Sequence, residues 1–161
     1  MKNQDWYFSG EDYICGFRAV GVLVQDGKIL VQREKDGDEY ALPGGCVRVG
    51  ETGTEAVVRE YREETGADIL CGRMIWVEET FWKWRGKDAH TLSFYYLISL
   101  KDETAIPDTG EFFSQKDNCN VVLGWLPIAG LAGITVYPTV LSQKIGALAE
   151  GIEHFVYREE A

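Results

Sequence analysis

The segment from Gly45 to Ala67 constrains this chain more than any other, because it prescribes both ends of a helix and loads one face with carboxylates. Thr52 followed by Glu55 has the spacing of a capping box, and Gly66 supplies the left-handed residue at which such a helix stops. Between those ends Glu60, Glu63 and Glu64 fall within an arc of roughly 100°, since each residue advances the helix by about 100°. Val57, Val58 and Tyr61 occupy the neighbouring arc and predict its buried side. Like charges this close repel one another. A hard divalent cation relieves the repulsion, and carboxylate oxygens are the donors that magnesium and manganese prefer. The competing reading is a solvated acidic face paired to Arg59 and Arg62, at roughly 0.2–0.5 kcal/mol per pair. The Leu42-Pro43-Gly44-Gly45 run and Glu51, at fixed offsets before the helix, favour the metal site.

The offsets themselves are informative. Gly45 is followed after five residues by Glu51, and after seven more by Arg59-Glu60-Tyr61-Arg62-Glu63-Glu64-Thr65-Gly66-Ala67. This pattern, with the double glycine before it, resembles the signature of the Nudix hydrolases, the MutT-like pyrophosphohydrolases. The resemblance implies a mixed β-sheet sandwiched between α-helices, an α/β (α+β) fold, and metal-assisted cleavage of a diphosphate attached to a nucleoside or similar group. It assigns Gly44 (through its carbonyl), Glu60, Glu63 and Glu64 to the metal, with Mg2+ as cofactor and Mn2+ as a substitute. Glu63 and Glu60 are then catalytic, and Arg59 and Glu51 support them by pairing with one another. Gly45 lets backbone approach metal or phosphate where a Cβ would intrude. Tyr61 and Ala67 depart from the pattern, standing where a bulky aliphatic is usual. Both are packing positions. Members of the family differ in which group accepts the proton of the attacking water. A motif glutamate is one choice, and Glu111 and Asp117, in the polar stretch between Lys101 and Asn120, are the others.

The rest of the chain is consistent with one enzyme domain over residues 1–161. Its 45% hydrophobic and 26% charged residues are values of a globular protein. A net charge of −10 argues against nucleic acid or an anionic membrane as partner, and disfavours a polyanionic substrate unless cations screen the site. Cys15, Cys46, Cys71 and Cys119 have no Cys-x-x-Cys spacing and read as reduced thiols, which with a polar N-terminus and no apolar span leads to a cytoplasmic expectation. Strands are expected over Tyr13–Gln25 and Lys28–Glu34, joined at Asp26-Gly27, then over Met74–Trp84 and Thr91–Leu100, joined near Gly86, and over Asn120–Leu126. Tyr137-Pro138 is expected to open a second helix with an apolar stripe of Val140, Leu141, Ile145, Leu148 and Ile152, tied to the sheet by Trp125.

Substrate contacts are less constrained. Arg18 and Arg33, in the first hairpin, are candidates for holding terminal phosphates, with surface ion pairing as the alternative. Alternation puts Trp76, Trp82 and Trp84 on one side of their strand and Phe81 on the other, as sheet core, as an interface or as a stacking row for a base. His90 is a candidate acid, base or phosphate donor, or a polar boundary residue. The small-molecule partner is a nucleoside triphosphate, oxidised ones included, or a nucleotide sugar. The sequence carries no N-terminal addition of the kind used for swapped dimers, which leans towards the smaller nucleotide, and a homodimer stays open. A catalytically silent ligand-binding or regulatory module is the alternative, although such domains lose motif glutamates that this chain keeps. An isoprenoid diphosphate isomerase would need a catalytic cysteine, for which Cys46 is the one candidate, without a supporting second motif.

Overall fold

In a computed structural model, which describes residues 3–116 and 119–160, strands β1 (Tyr7–Ser9), β2 (Tyr13–Gln25), β3 (Lys28–Glu34), β4 (Tyr40–Ala41) and β5 (Gly44–Cys46) precede helix α1 (Gly53–Thr65). Strands β6 (Ile69–Trp84), β7 (Lys87–Leu100), β8 (Glu111–Phe113) and β9 (Val121–Pro127) follow. A 3-10 turn (Ile128–Gly133), β10 (Val136–Tyr137), α2 (Leu141–Lys144) and β11 (Glu153–Arg158) complete the order. Asp117 lies outside the described residues.

The local signals fold as their chemistry dictates. Thr52 Oγ1 accepts from the Glu55 N–H at 3.2 Å and Glu55 Oε2 from the Thr52 N–H at 2.8 Å, while Gly66, at φ 75°, donates its N–H to the Arg62 carbonyl. Asp26 and Gly27 both take positive φ (51° and 73°), as do Arg85 and Gly86 (49° and 82°). Two residues in that conformation match the twist of the strands they join, so β2–β3 and β6–β7 are tight hairpins.

The sheet is mixed, in the order β10-β4-β3-β2-β7-β6-β11, with β1 and β5 also on β2 and with β9 linking β8 to β3. β2 and β7 run parallel from Tyr13–Asp88 to Leu23–Ile98, and β6 and β7 antiparallel. Alternation along β2 splits the interior in two. Ala19 and Leu23 face α1, where they pack with Val57, Tyr61, Tyr96 and Leu123. Val20 and Val22 face the other way, towards Trp76, Tyr95, Leu131 and Leu141. Tyr61 fits because a Cβ on Gly21 would come within 2.9 Å of its ring; with glycine there, the ring is fully buried and its hydroxyl donates to the Gly21 carbonyl at 3.1 Å.

Three expectations need correction. The helix expected from Tyr137 to Ile152 is a single turn at Leu141–Lys144, with Leu141 and Ile145 buried and Ile152 58% exposed. Gly146 and Gly151 explain this, since glycine costs about 1 kcal/mol within a helix and so short a segment cannot recover it. The chain then continues as β11, parallel to β6, which the sequence reading passed over. Trp125 packs on the α1 side and donates its indole N–H to the Pro107 carbonyl at 2.8 Å, away from α2. Among the described residues no helix is long and apolar enough to cross a membrane, and the four cysteines are unpaired.

Candidate active site

α1 presents its acidic face to the loop that carries β5, and the two are fitted at one glycine. A Cβ on Gly45 would lie within 2.5 Å of Glu60 Oε2, so the carboxylate occupies the volume a side chain would need. Glu60 is 2% exposed. Gly44, beside it, is pressed on the backbone of β2, where a Cβ would stand 2.7 Å from Val20 Cα.

Cations hold this acidity in place. Arg59 grips Glu51 with two bonds, Nε to Oε1 at 2.7 Å and Nη2 to Oε2 at 2.8 Å. Nη2 also donates to the Cys46 carbonyl at 2.9 Å, and Nη1 donates to Glu60 Oε1 and, at 3.3 Å, to Glu63 Oε2. The Arg48 N–H donates to Glu51 Oε2 at 2.9 Å, and its guanidinium lies 3.4 Å from Glu63. Lys116, from the stretch after β8, donates to Glu60 Oε2 at 2.8 Å and lies 3.4 Å from Glu63 Oε2. The Arg59 hydrogen bonds, opposed by partial burial, keep the Glu51 carboxyl below its ordinary pKa of 4.5. Burial pulls the Lys116 ammonium down, but the Glu60 hydrogen bond and the charges of Glu60, Glu63 and Glu64 outweigh it and leave its pKa raised. Glu64 is also buried, at 6% exposure, and its carbonyl accepts the Gln115 N–H at 2.8 Å.

In kind, this donor set fits a divalent cation: hard carboxylate oxygens on one helix face, packed against a glycine cradle that a Cβ would fill. In arrangement, no three acidic, histidine or cysteine side chains among the described residues converge on one metal position, because the carboxylates point at arginine and lysine instead.

A cavity of about 470 Å³ opens on the other face of the sheet. Arg18, Leu42, Glu78, Trp82, Tyr95, Tyr137 and Tyr157 contribute to its wall, as do Glu39 and Glu159. The motif glutamates are not among its lining residues. The link is Arg18, whose guanidinium lines the cavity and donates to the Gly44 carbonyl at 3.3 Å. On the cavity wall Glu78, 5% exposed, accepts the Tyr95 hydroxyl at 2.8 Å, and burial pushes its carboxyl above its ordinary pKa.

The sequence candidates therefore separate. Glu51, Arg59, Glu60, Glu63 and Gly45 form one cluster, with Glu64 buried beside it, while Gly44 is pressed on β2 and its carbonyl accepts from Arg18. Arg33 and Glu111 pair with each other instead: the guanidinium holds both carboxylate oxygens at 2.8–3.2 Å and reaches the carbonyls of Glu34, Lys35 and Gly37. The aromatic row divides. Trp76 is core, against Tyr95 and Phe155, whereas Trp82 is a cavity wall. His90 stacks on Phe81 and lies 3.6 Å from Glu79, which also bonds His154 at 2.9 Å. Burial raises the Cys46 thiol pKa, the opposite of what a catalytic cysteine needs. Sequence reasoning missed Arg48, Lys116, Glu78 and the tyrosines of the cavity; of these, only Glu78 left a trace, as a carboxylate in phase with the buried Trp76.

Known proteins share this architecture. A protein of Methanocaldococcus jannaschii named ADP-ribose pyrophosphatase is 51% identical over 49 residues, 29% of each chain. A Bacillus subtilis protein named putative ADP-ribose pyrophosphatase is 37% identical over 55 residues, 34% of this chain and 26% of that one. The matched stretch is thus less than a third of either relative. Among solved structures, the MutT protein of Bacillus halodurans superposes with a TM-score of 0.66 at 17% identity, over 89% of this chain and 90% of that one. A UDP-X diphosphatase does so at 0.60 and 21% identity, over 87% of this chain and 66% of that one. At such identities the likeness is one of fold. The NUDIX domain profile matches residues 17–135, which run from within β2 through β9 and include the glycine loop and the carboxylate helix, and this chain belongs to that family.

Proposed function

We propose that the protein hydrolyses a diphosphate linkage in a nucleotide derivative, with a divalent cation, Mg2+ or Mn2+, held by Glu60, Glu64 and the Gly44 carbonyl, and with Glu63 reaching it through water or a second ion. The observation that carries this reading is the Glu60 carboxylate, buried under the Gly45 backbone and neutralised on both oxygens by cations. When bound, the metal supplies an acidified water and neutralises charge developing on the phosphates. Arg59 orients Glu51 and Glu60, so that the acidic face keeps its shape as charge enters and leaves. Arg18 spans the glycine loop and the cavity, where it would contact the phosphates while the organic group enters the cavity. Glu111 is engaged by Arg33, which favours a glutamate of the α1 cluster as proton acceptor.

The cavity narrows the substrate class. Glu39, Glu78 and Glu159 on its wall suit a group rich in hydrogen-bond donors, a base edge or sugar hydroxyls, and oppose a further phosphate there. Trp82 offers one face for stacking. The relatives' names, with ADP-ribose among them, agree with a nucleotide sugar or a nucleoside triphosphate.

The test is phosphate release from nucleoside triphosphates, nucleotide sugars and dinucleoside polyphosphates, coupled to inorganic pyrophosphatase where pyrophosphate is the product and to alkaline phosphatase where phosphomonoesters are, with Mg2+, with Mn2+ and with EDTA, alongside Glu64→Gln. Metal-dependent turnover that Glu64→Gln abolishes is expected. Full turnover in EDTA, or by the Glu64→Gln protein, would sink the metal assignment.

A further inference from the structure

Lys116 stands where a metal would be expected to draw charge from Glu60. Its ammonium lies 2.8 Å from Glu60 Oε2 and 3.4 Å from Glu63 Oε2, while Arg59 engages the other oxygen of Glu60. The lysine is delivered there by more than its own ion pairs. The Ser114 N–H donates to the Val121 carbonyl at 2.9 Å, and the Gln115 N–H to the Glu64 carbonyl at 2.8 Å. Gln115 Nε2 adds a bond to the Thr65 carbonyl at 3.3 Å. Residues 114–116 are therefore clipped to the C-terminal turn of α1, and the flexible four-carbon arm of Lys116 reaches back along the helix to the glutamates.

A magnesium ion binds carboxylate oxygen at about 2.0–2.1 Å. With an ammonium 2.8 Å from that same oxygen, the two cations would be neighbours on one acceptor and would repel strongly. Both cannot keep full contact with Glu60. We propose that Lys116 is a tethered counter-ion that compensates the ligand glutamates while no metal is bound, and that a divalent cation must displace it to enter. This rests on the metal reading above and adds a regulation of that site: the lysine sets the metal concentration at which the site fills. It also accounts for buried carboxylates that point at side-chain cations rather than at one another.

The experiment is Mn2+ binding to the full chain without nucleotide, followed by electron paramagnetic resonance of the free ion, for wild type, Lys116→Met and Lys116→Arg. Lys116 is partly exposed, so both substitutions are compatible with folding. Hydrogen bonds to charged groups of this kind, once removed, leave Lys116→Met with Mn2+ affinity on the order of tenfold tighter. Lys116→Arg stays near wild type. Amide exchange at Gln115 and Lys116 in the wild-type protein is expected to quicken when Mn2+ is added. Unchanged or weaker Mn2+ binding by Lys116→Met overturns the displacement and leaves the metal site standing. Absence of binding in all three proteins overturns the metal site and this proposal together.

Discussion

Arg59→Met isolates the contribution of one side chain to the site, and its cost can be worked from the partners it would abandon. The guanidinium makes a two-point contact with Glu51, bonds to Glu60 and Glu63, and a bond to the Cys46 carbonyl. The side chains of Glu51 and Glu60 are 15% and 3% exposed, so neither can recover its hydration when the arginine is removed. Removing one partner of a buried ion pair costs about 3–5 kcal/mol, because the remaining charge stays desolvated. Glu60 retains Lys116, and Glu51 retains the Arg48 N–H, which places the loss near the lower end, about 3 kcal/mol. Methionine keeps most of the apolar stem, so little of this is packing. Urea unfolding at pH 7 with EDTA measures it. Repeating the titration in Mn2+ is expected to restore part of the loss, since a cation at Glu60 compensates that charge but not Glu51. A loss below 1 kcal/mol in EDTA would show that the carboxylates do not depend on Arg59, and the account of the cluster would fail.

Two further outcomes follow from single residues. Gly45→Ala sets a methyl against the pinned Glu60 carboxylate, and overpacking of this sort costs about 1–3 kcal/mol; turnover measured well below the melting temperature should fall further than stability does, and an alanine protein as active as wild type contradicts the close fit. Burial holds the Glu78 carboxyl above its ordinary 4.5, so the stability it contributes is complete below that pH and is lost as pH rises through the folded value. Glu78→Gln should therefore gain in melting temperature relative to wild type between pH 4 and pH 8; a difference that does not vary with pH rejects the raised carboxyl.

The limits of the sequence are physical. Thr52, Glu55 and Gly66 act within one or two turns of their own backbone, so the helix ends were legible. Asp26-Gly27 and Arg85-Gly86 are equally local. The spacing of Glu60, Glu63 and Glu64 prescribed one acidic face, because the helical repeat is fixed by the backbone. It did not prescribe what the carboxylates touch. Arg33 and Glu111, each a plausible site residue alone, neutralise each other across 78 positions of sequence. The segment after Pro138 carried apolar residues at helical spacing, yet its glycines and the open edge of β6 turned the end of the chain into a strand.

What the sequence determined by itself, then, was the carboxylate helix and the turns, each set by interactions within a few residues. Tertiary structure decided the rest: that Lys116 meets Glu60 from 56 residues away, that Gly21 makes room for Tyr61, and that Glu78 and Tyr95 pair on the wall of a cavity bordered by Arg18. Those contacts depend on strand register and on which face of the sheet each side chain takes, and both are settled only when β2, β6 and β7 are aligned together.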